Sequence, residues 1–340
     1  MSQLPAEWYP EPGIYKGVSW AEYKSCPYMN PSTLKKGLRS MRHLKRAIDG
    51  ELQPSAKTVA VGQAVHCLVA DETDRLAVMP DFEKDPRNLT AGTVKEPPKA
   101  MTKKDGSLSA AGQKWQDLCS EHGLPVDHCG EIRTGQKPTE SKVTDFYKTS
   151  VSNFVEQNEG KTLLTEIEMN VAKKVIGCIY ENSKAAEIIR RSEHELTVIA
   201  EIEGVMCKTR IDGAIAKDRH AWDLKTTDDI SGRTFYRQCK KLGHLFQFGF
   251  HQLACANAGK NAFAIEKYDA IAAEVSGDYD TGVILIPPQL LDDWAEKVSR
   301  VLNDYKLAKS TDIWPGLYPA GIGLLDVPDY DMAENGVFQG

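Results

Sequence analysis

The stretch from Glu195 to Thr227, ELTVIAEIEGVMCKTRIDGAIAKDRHAWDLKTT, decides how the chain is to be read. ELTVIAEIEG and VMCKTRIDGAIA alternate in the manner of two antiparallel strands, with Glu203-Gly204 at the turn. HAWDLKTT reads as a third strand that ends at a polar edge. Asp212 is expected to end one strand and Asp223-Leu224-Lys225 the next. Residues i and i+2 share a face of a strand, so Asp223 and Lys225 point the same way, and Asp212 on a paired strand can reach the same spot. Two carboxylates and one ammonium then converge. Carboxylate oxygens are natural ligands for hard Mg²⁺ or Mn²⁺, and a lysine beside them can orient a water and stabilise its deprotonated form. Two surface aspartates with a salt-bridging lysine would leave the same trace.

The flanking sequence frames these strands. Residues 1–30 are rich in Pro, Tyr and Trp and read as irregular. Asn30-Pro31-Ser32 then reads as a helix start with Ser32 as cap, followed by Leu34, Leu38, Met41 and Leu44 at helical spacing. A second helix is expected over Ala56–Ala70, with Val61, Val65, Leu68 and Val69 on its buried face. From Pro80 to about Lys142 the chain is Pro-, Gly- and Lys-rich and reads as a long exposed loop, disordered when alone, with one short helix in SAAGQKWQDLCSEHG. Ser141–Gln157 and Glu166–Arg191 read as helices, as do Asp229–Lys241, His244–Ala258 and Pro288–Ala308. YDAIAAEVS and YDTGVILIP read as two further strands, and WPGLYPAGIGLLDVPDY as irregular. The order implies an α/β fold with a central mixed β-sheet flanked by helices. The expected organisation is a single domain over 1–340. It comprises an N-terminal helical part (15–80), a loop-rich insert (81–140), the α/β core (141–320) and a tail (321–340).

Of the 340 residues, 41% are hydrophobic and 26% charged, and no run approaches the ~20 apolar residues of a membrane span. The N-terminus has no basic region leading into an apolar core, so a cytoplasmic protein with no membrane partner is expected. Eight cysteines are scattered with no C-x-x-C pair, which argues against a zinc ribbon or a thioredoxin-type site. The formal net charge of −6, taken alone, argues against nucleic-acid binding, although a nuclease would concentrate carboxylates where its metals sit. Two local clusters run the other way: LKKGLRSMRHLKR (Leu34–Arg46), with six Lys/Arg, and RTFYRQCKKLGH (Arg233–His244). Each is also what a solvated helix face looks like.

Further residues extend the acidic constellation. VGQAVH places His66 one helical turn after Gly62, where an imidazole can complete a metal shell. HLFQFGFHQ places His244, Gln247 and His251 on one helical face. Taken together, GQAVHCLV, Glu195 in HELTV, CKTRIDGAI, WDLKTT and HLFQFGFHQ resemble the PD-(D/E)XK nuclease superfamily, in the branch with a histidine in its first motif. The finer resemblance is to RecE-type exonucleases (exonuclease VIII) of phages and prophages, and NPSTLKKGLRSMRHLK is similar to that group's N-terminal helix. The resemblance spans most of Tyr15–Pro319 and matches poorly at 80–140.

The resemblance implies a PD-(D/E)XK nuclease core. His66, Asp212, Asp223 and a main-chain carbonyl, that of Leu224, would hold two Mg²⁺ (or Mn²⁺) ions. Lys225 would activate the attacking water, Gln247 would steady the lysine or the scissile phosphate, and Glu195 would act as an outer ligand or on a DNA end. Arg210, Thr226, His244, His251, Ser32, Lys35 and Lys36 are candidate DNA contacts. The family usually has tyrosines where His244 and His251 stand, which puts the DNA contact there in doubt. The implied activity is a 5′-to-3′ exonuclease on linear double-stranded DNA ends that leaves 3′ overhangs for recombination. A ring-shaped homo-oligomer (trimer or tetramer) and a single-strand annealing protein are the implied partners.

Alternatives stay open. Helicase-linked and CRISPR-associated iron–sulfur nucleases share the motifs, but no cysteine follows Cys255 and no G-x-x-x-x-G-K-[ST] occurs. An endonuclease of the same superfamily would use the same chemistry. A catalytically silent DNA-end-binding protein would keep the scaffold without cleavage.

Overall fold

The computed structural model describes residues 8–52, 60–82, 93–95, 97–103, 105–121, 123–125, 127–128, 132–134 and 145–320. The chain divides into two compact units, one made of Met1–Ala56 and Cys178–Gly340, the other of Lys57–Gly177.

The first unit opens with β1 (Gly13–Tyr15) and α1 (Trp20–Ser25), where an irregular segment was expected. The helix is started by a capping box: Glu22 N–H donates to Ser19 Oγ at 3.2 Å and Ser19 N–H to Glu22 Oε2 at 2.8 Å. The strand exists because it pairs with residues about 185 positions downstream, which no local pattern announces. Next come α2 (Pro31–Leu34), a 3-10 turn (Lys35–Leu38) and α3 (Met41–Ile48). Asn30, not Ser32, caps α2. Thr33 N–H donates to Asn30 Oδ1 at 2.9 Å, Pro31 takes the first helical position, and the Ser32 hydroxyl bonds Asn30. Ser40 starts a new helix by accepting from His43 N–H at 3.1 Å, so the run Leu34–Leu44 is two helices rather than one.

The second unit holds α4 (Ala60–Val69), β2 (Leu76–Val78), β3 (Thr93–Lys95), α5 (Ala110–Glu121), β4 (Ile132–Thr134), α6 (Asp145–Gln157), β5 (Thr162–Leu164) and most of α7 (Glu166–Glu181). Strand β2 pairs in parallel with β5, and β3 pairs antiparallel with β4. Strands β3 and β4 fall in the segment expected to be loop; at three residues each they are too short to show alternation. Helix α5 stands where the short helix was expected. It buries Trp115 and Cys119, and the Trp115 indole N–H donates to the His128 carbonyl at 2.9 Å. The rest of the segment expected to be loop is described only in part, and the tail from 321 on lies outside the described residues.

The chain returns to the first unit near the end of α7. Asn182 interrupts the helix expected over Glu166–Arg191, its Oδ1 accepting from Ala185 N–H at 3.0 Å to start α8 (Ser183–Arg191). Then follow β6 (Glu193–Ile202), β7 (Val205–Ile215), β8 (His220–Thr227), α9 (Gly232–Leu242), α10 (His244–Ala256), β9 (Lys267–Glu274), β10 (Thr281–Ile286) and α11 (Pro288–Thr311). These strands and β1 form one sheet in the order β1-β6-β7-β8-β9-β10. The β8–β9 pair is parallel and the other pairs are antiparallel, so the sheet is mixed as expected. Glu203 and Gly204 both take left-handed φ, 51° and 72°, at the β6–β7 turn. A parallel step requires a crossover, which α9 and α10 supply. Phe246, Phe248 and Phe250 of α10 are fully buried in the core, and the Phe248 ring meets Tyr268 of β9 with centroids 4.8 Å apart. A Cβ at Gly249 would lie 2.5 Å from the Ala295 nitrogen, so this glycine lets α10 press on the backbone of α11.

Candidate active site

Strands β7 and β8 pair through Ile215↔His220, Ala214↔Ala221 and Gly213↔Trp222, and there the ladder stops. Asp212 and Asp223 occupy the next position on each strand. The expectation that Asp212 and Asp223-Leu224-Lys225 end their strands is corrected: β7 continues on both sides of Asp212 and β8 runs on to Thr227. What ends at them is the pairing. Asp212 fills the fork, its Oδ2 accepting from Leu224 N–H at 2.7 Å. A side chain thus satisfies a backbone donor that the partner strand no longer reaches. Gly213 shapes the fork's base, since a Cβ there would lie 2.3 Å from the Trp222 ring.

On the other flank, β6 pairs with β7 through His194↔Gly213 and Leu196↔Ile211, leaving Glu195 opposite Asp212. Glu195, Asp212 and Asp223 therefore form one row across three strands. Glu195 has a φ of 51°, a conformation that costs a non-glycine residue about 1–2 kcal/mol and that clusters at functional sites. Its Oε2 lies 2.5 Å from Arg210 Nε, both side chains being largely buried. The Arg210 guanidinium sits 5.7 Å from the Trp20 ring centroid.

The centre of the site is Asp223, which is fully buried. Lys225 Nζ donates to Asp223 Oδ2. Gln247, from α10, donates through Nε2 to Asp223 Oδ1 at 3.3 Å and accepts from Lys225 Nζ at 3.4 Å. Burial opposes the charge on Lys225, but the carboxylates of Asp223 and Asp212 outweigh it and hold the ammonium's pKa above the ordinary lysine value. Lys225 is therefore a cation at neutral pH, a donor and a source of positive charge rather than a ready proton acceptor. Nζ also stands 5.7 Å from the Phe248 ring centroid.

His251 is fully buried, with Nδ1 hydrogen-bonded to the Tyr268 hydroxyl at 2.7 Å. Burial lowers its pKa to about 3, against the attraction of Asp212 and with the help of Lys225. The 4.0 Å approach of Nδ1 to Asp223 is accordingly no ion pair at neutral pH. The expected DNA contact at His251 is corrected: its ring faces the core behind the carboxylates. His244 begins α10 half-buried. Thr226 points to the opposite face of β8 from Lys225. Ser32 is exposed and tied to Asn30. Lys35 is half-buried and donates to the Leu242 carbonyl at 3.0 Å, and Lys36 is half-buried beside it.

The sequence reading missed Tyr268. Burial, then Asp223 and Asp212, raise its pKa well above the usual tyrosine value, so its hydroxyl stays protonated behind the site. The signal was a tyrosine two residues before the apolar run AIAA of β9, where a buried hydroxyl has to find a partner.

The expected metal set divides between the units: His66 stands on α4 in the second, and Asp212, Asp223 and Leu224 stand in the first. Among the described residues no group of three or more His, Cys, Asp and Glu is gathered as a metal shell. The donors at the fork are nonetheless hard oxygens, two carboxylates and a main-chain carbonyl. That set suits Mg²⁺ or Mn²⁺ with water completing the coordination, and it does not suit a thiophilic metal.

Comparison with known proteins bears on the family and on the fold. Residues 136–320 match the model of the family described as a PDDEXK-like domain of unknown function (DUF3799). A solved putative exonuclease from Eubacterium rectale covers 95% of this chain and 99% of its own, with 12% identity and a TM-score of 0.52, a likeness that bears on the fold alone. A phage related exonuclease from Haemophilus somnus 129PT covers 52% of this chain and 91% of its own, at 16% identity and a TM-score of 0.26, too distant to bear on either. No curated protein matches the chain.

Proposed function

The chain belongs to the family of PDDEXK-like domains of unknown function (DUF3799), and on that footing we propose that it is a metal-dependent deoxyribonuclease, an exonuclease acting on the ends of linear double-stranded DNA. The observation that carries this reading is the fork, where Asp212, Asp223 and Lys225 are brought together by the parting of β7 and β8. Asp212, Asp223 and the Leu224 carbonyl would hold the divalent cation. When bound, that cation supplies charge neutralisation at a phosphodiester and acidifies a bound water. Lys225, kept protonated by its carboxylate neighbours, donates to the water or to a phosphate oxygen and stabilises negative charge as it develops. Gln247 holds Lys225 and Asp223 in register. Glu195 and Arg210 shape the flank of the row that lies away from Lys225. The 5′-to-3′ polarity and the 3′-overhang product rest on the resemblance to RecE-type enzymes.

One observation favours a second reading. Asp223 is fully engaged by Lys225 and Gln247, and Asp212 by the Leu224 amide, as they would be in a scaffold that binds DNA ends without cleaving them.

Both readings meet one experiment. Linear duplex DNA labelled at the 5′ or the 3′ end is incubated with Mg²⁺ or Mn²⁺ beside a closed circle and a chelator control. Early release of the 5′ label with an intact circle is the expected result. A cut circle assigns an endonuclease. Retention of the DNA without cleavage under either metal assigns the silent scaffold.

A further inference from the structure

We propose that the basic surface from Lys35 to Arg46 is a second nucleic-acid contact, a cleft that seats a backbone phosphate of the DNA whose end lies at Asp212, Asp223 and Lys225. This rests on the nuclease reading for the identity of its ligand, and it concerns residues that take no part in the chemistry.

Arg39, Ser40, Arg42, His43, Arg46, Gly316 and Leu317 line a cleft of about 240 Å³. Within α3, Arg42, His43 and Arg46 follow one another at helical spacing on the side away from buried Met41 and Leu44. The lining holds three guanidiniums and an imidazole and no carboxylate. Lys45 turns out of it to Asp49, and Arg46 meets Glu51 at 2.9 Å on an exposed flank. Among the described residues, Arg39 and Arg42 have no acidic partner within ion-pairing distance. In a chain with a net charge of −6, this is a concentration of positive charge that only an anion relieves.

The cleft is shaped by the backbone. Arg42 N–H donates to the Pro315 carbonyl at 3.0 Å, which fixes the segment after α11 against α3. A Cβ at Gly316 would lie 3.3 Å from Arg42 Cζ and Nη1, so the missing side chain lets the guanidinium lie along the main chain.

Lys35 and Lys36 carry positive charge on the side of this surface nearer the site. Burial, then Lys36 and Lys225, lower the pKa of Lys35, and burial, then Arg39, Lys36 and Arg46, lower that of His43. The geometry makes the same link: Lys35 Nζ donates to the Leu242 carbonyl at 3.0 Å, beside the start of α10, the helix on which Gln247 accepts from Lys225 Nζ at 3.4 Å. The cleft presents no Phe, Tyr or Trp ring to stack a base, and Leu317 is its sole large apolar lining residue. Its ligand is therefore a phosphate, and its contribution to DNA binding is independent of base sequence.

The test is fluorescence anisotropy with a labelled linear duplex in chelator, so that binding is read without cleavage, for the full chain and for R39Q/R42Q. The expected result is weaker binding at every salt concentration, with the slope of log affinity against log salt shallower by about 1–2, near 0.9 for each phosphate no longer neutralised. R39K/R42K restores the slope, and duplexes of different sequence behave alike. Unchanged affinity and slope in R39Q/R42Q, with DNA bound and cleaved by the wild type, overturns the cleft and leaves the nuclease reading intact. A wild type that neither binds nor cleaves DNA overturns both. Binding of inorganic phosphate that R39Q/R42Q abolishes, with the DNA slope unmoved, assigns a small-anion site and also overturns the proposal.

Discussion

Asp212 Oδ2 accepts the Leu224 amide at 2.7 Å, one step beyond the last paired residues of β7 and β8. The bond joins two roles, because the group that satisfies a strand's orphaned donor is also an acid of the candidate site. Asp212→Asn keeps an oxygen acceptor for that amide. It is expected to keep the stability of the wild type to within about 1 kcal/mol, the scale of one net hydrogen bond, while DNA cleavage falls by orders of magnitude. Asp212→Ala is expected to lose cleavage and a further ~1–3 kcal/mol by stranding the Leu224 N–H. Urea midpoints beside cleavage rates check the pair. Equal stability of the two variants would remove the structural half of the assignment.

Lys225 and Asp223 form a buried pair, and removing one member strands the other. Lys225→Met is expected to abolish cleavage and to destabilise the fold by about 3–5 kcal/mol, the usual effect of leaving a buried charge uncompensated. Asp223→Asn added to Lys225→Met is expected to recover most of that stability and none of the activity. A double variant no more stable than Lys225→Met alone would mean that the two charges are not coupled.

His251 is neutral in the fold, with a pKa lowered to about 3 by burial, whereas an unfolded histidine titrates near 6.5. Between those values the unfolded chain binds a proton that the folded chain does not, so this residue's contribution is complete above about 6.5 and is lost as the pH falls. The expected cost approaches about 1.4 kcal/mol per pH unit below 6. His251→Gln, which retains a partner for the Tyr268 hydroxyl, is expected to show a shallower loss of stability between pH 6 and pH 4.5. Parallel pH profiles for the variant and the wild type would place the imidazole in contact with solvent.

Gly213 lies under the Trp222 ring at the base of the fork, where a Cβ would come within 2.3 Å. Gly213→Ala must displace a buried indole whose N–H donates to Ser192 Oγ at 2.7 Å. The expected cost is about 1–3 kcal/mol, with a changed near-ultraviolet tryptophan signal and slowed cleavage as Asp212 and Asp223 shift. An unperturbed tryptophan signal would show that the fork tolerates the methyl group.

Strands β6 and β7 were legible because their sequences alternate and the turn between them carries its own glycine, and β8 as the run HAWDLKTT that follows them and ends at a polar edge. Asp223 and Lys225 were legible as a pair because strand geometry alone puts i and i+2 on one face. Strand β1 was not legible, since its three residues are a strand only in the company of Thr197, Val198 and Ile199. Ser32 has the look of a cap because it precedes the apolar run, but Asn30 before Pro31 is the better acceptor and holds the Ser32 hydroxyl as well. His251 sat at helical spacing from Gln247 and so shared its expected face. Yet Gln247 reaches Asp223 and Lys225 while His251 is enclosed by Tyr268, on a strand that lies seventeen residues away in the chain.

Local spacing was enough to set the mixed α/β order, the strands that carry the acids and the identity of the lysine beside them. Those features follow from periodicities of a few residues, which backbone geometry imposes on any chain. Tertiary packing decided that the β7–β8 ladder ends at Gly213 and Trp222, that Asp212 closes the gap on Leu224, that His251 is neutral, and that Arg42 rests against Gly316. Each of these depends on which distant segments exclude water from a group and which partner they offer it, and no short stretch of residues contains that information.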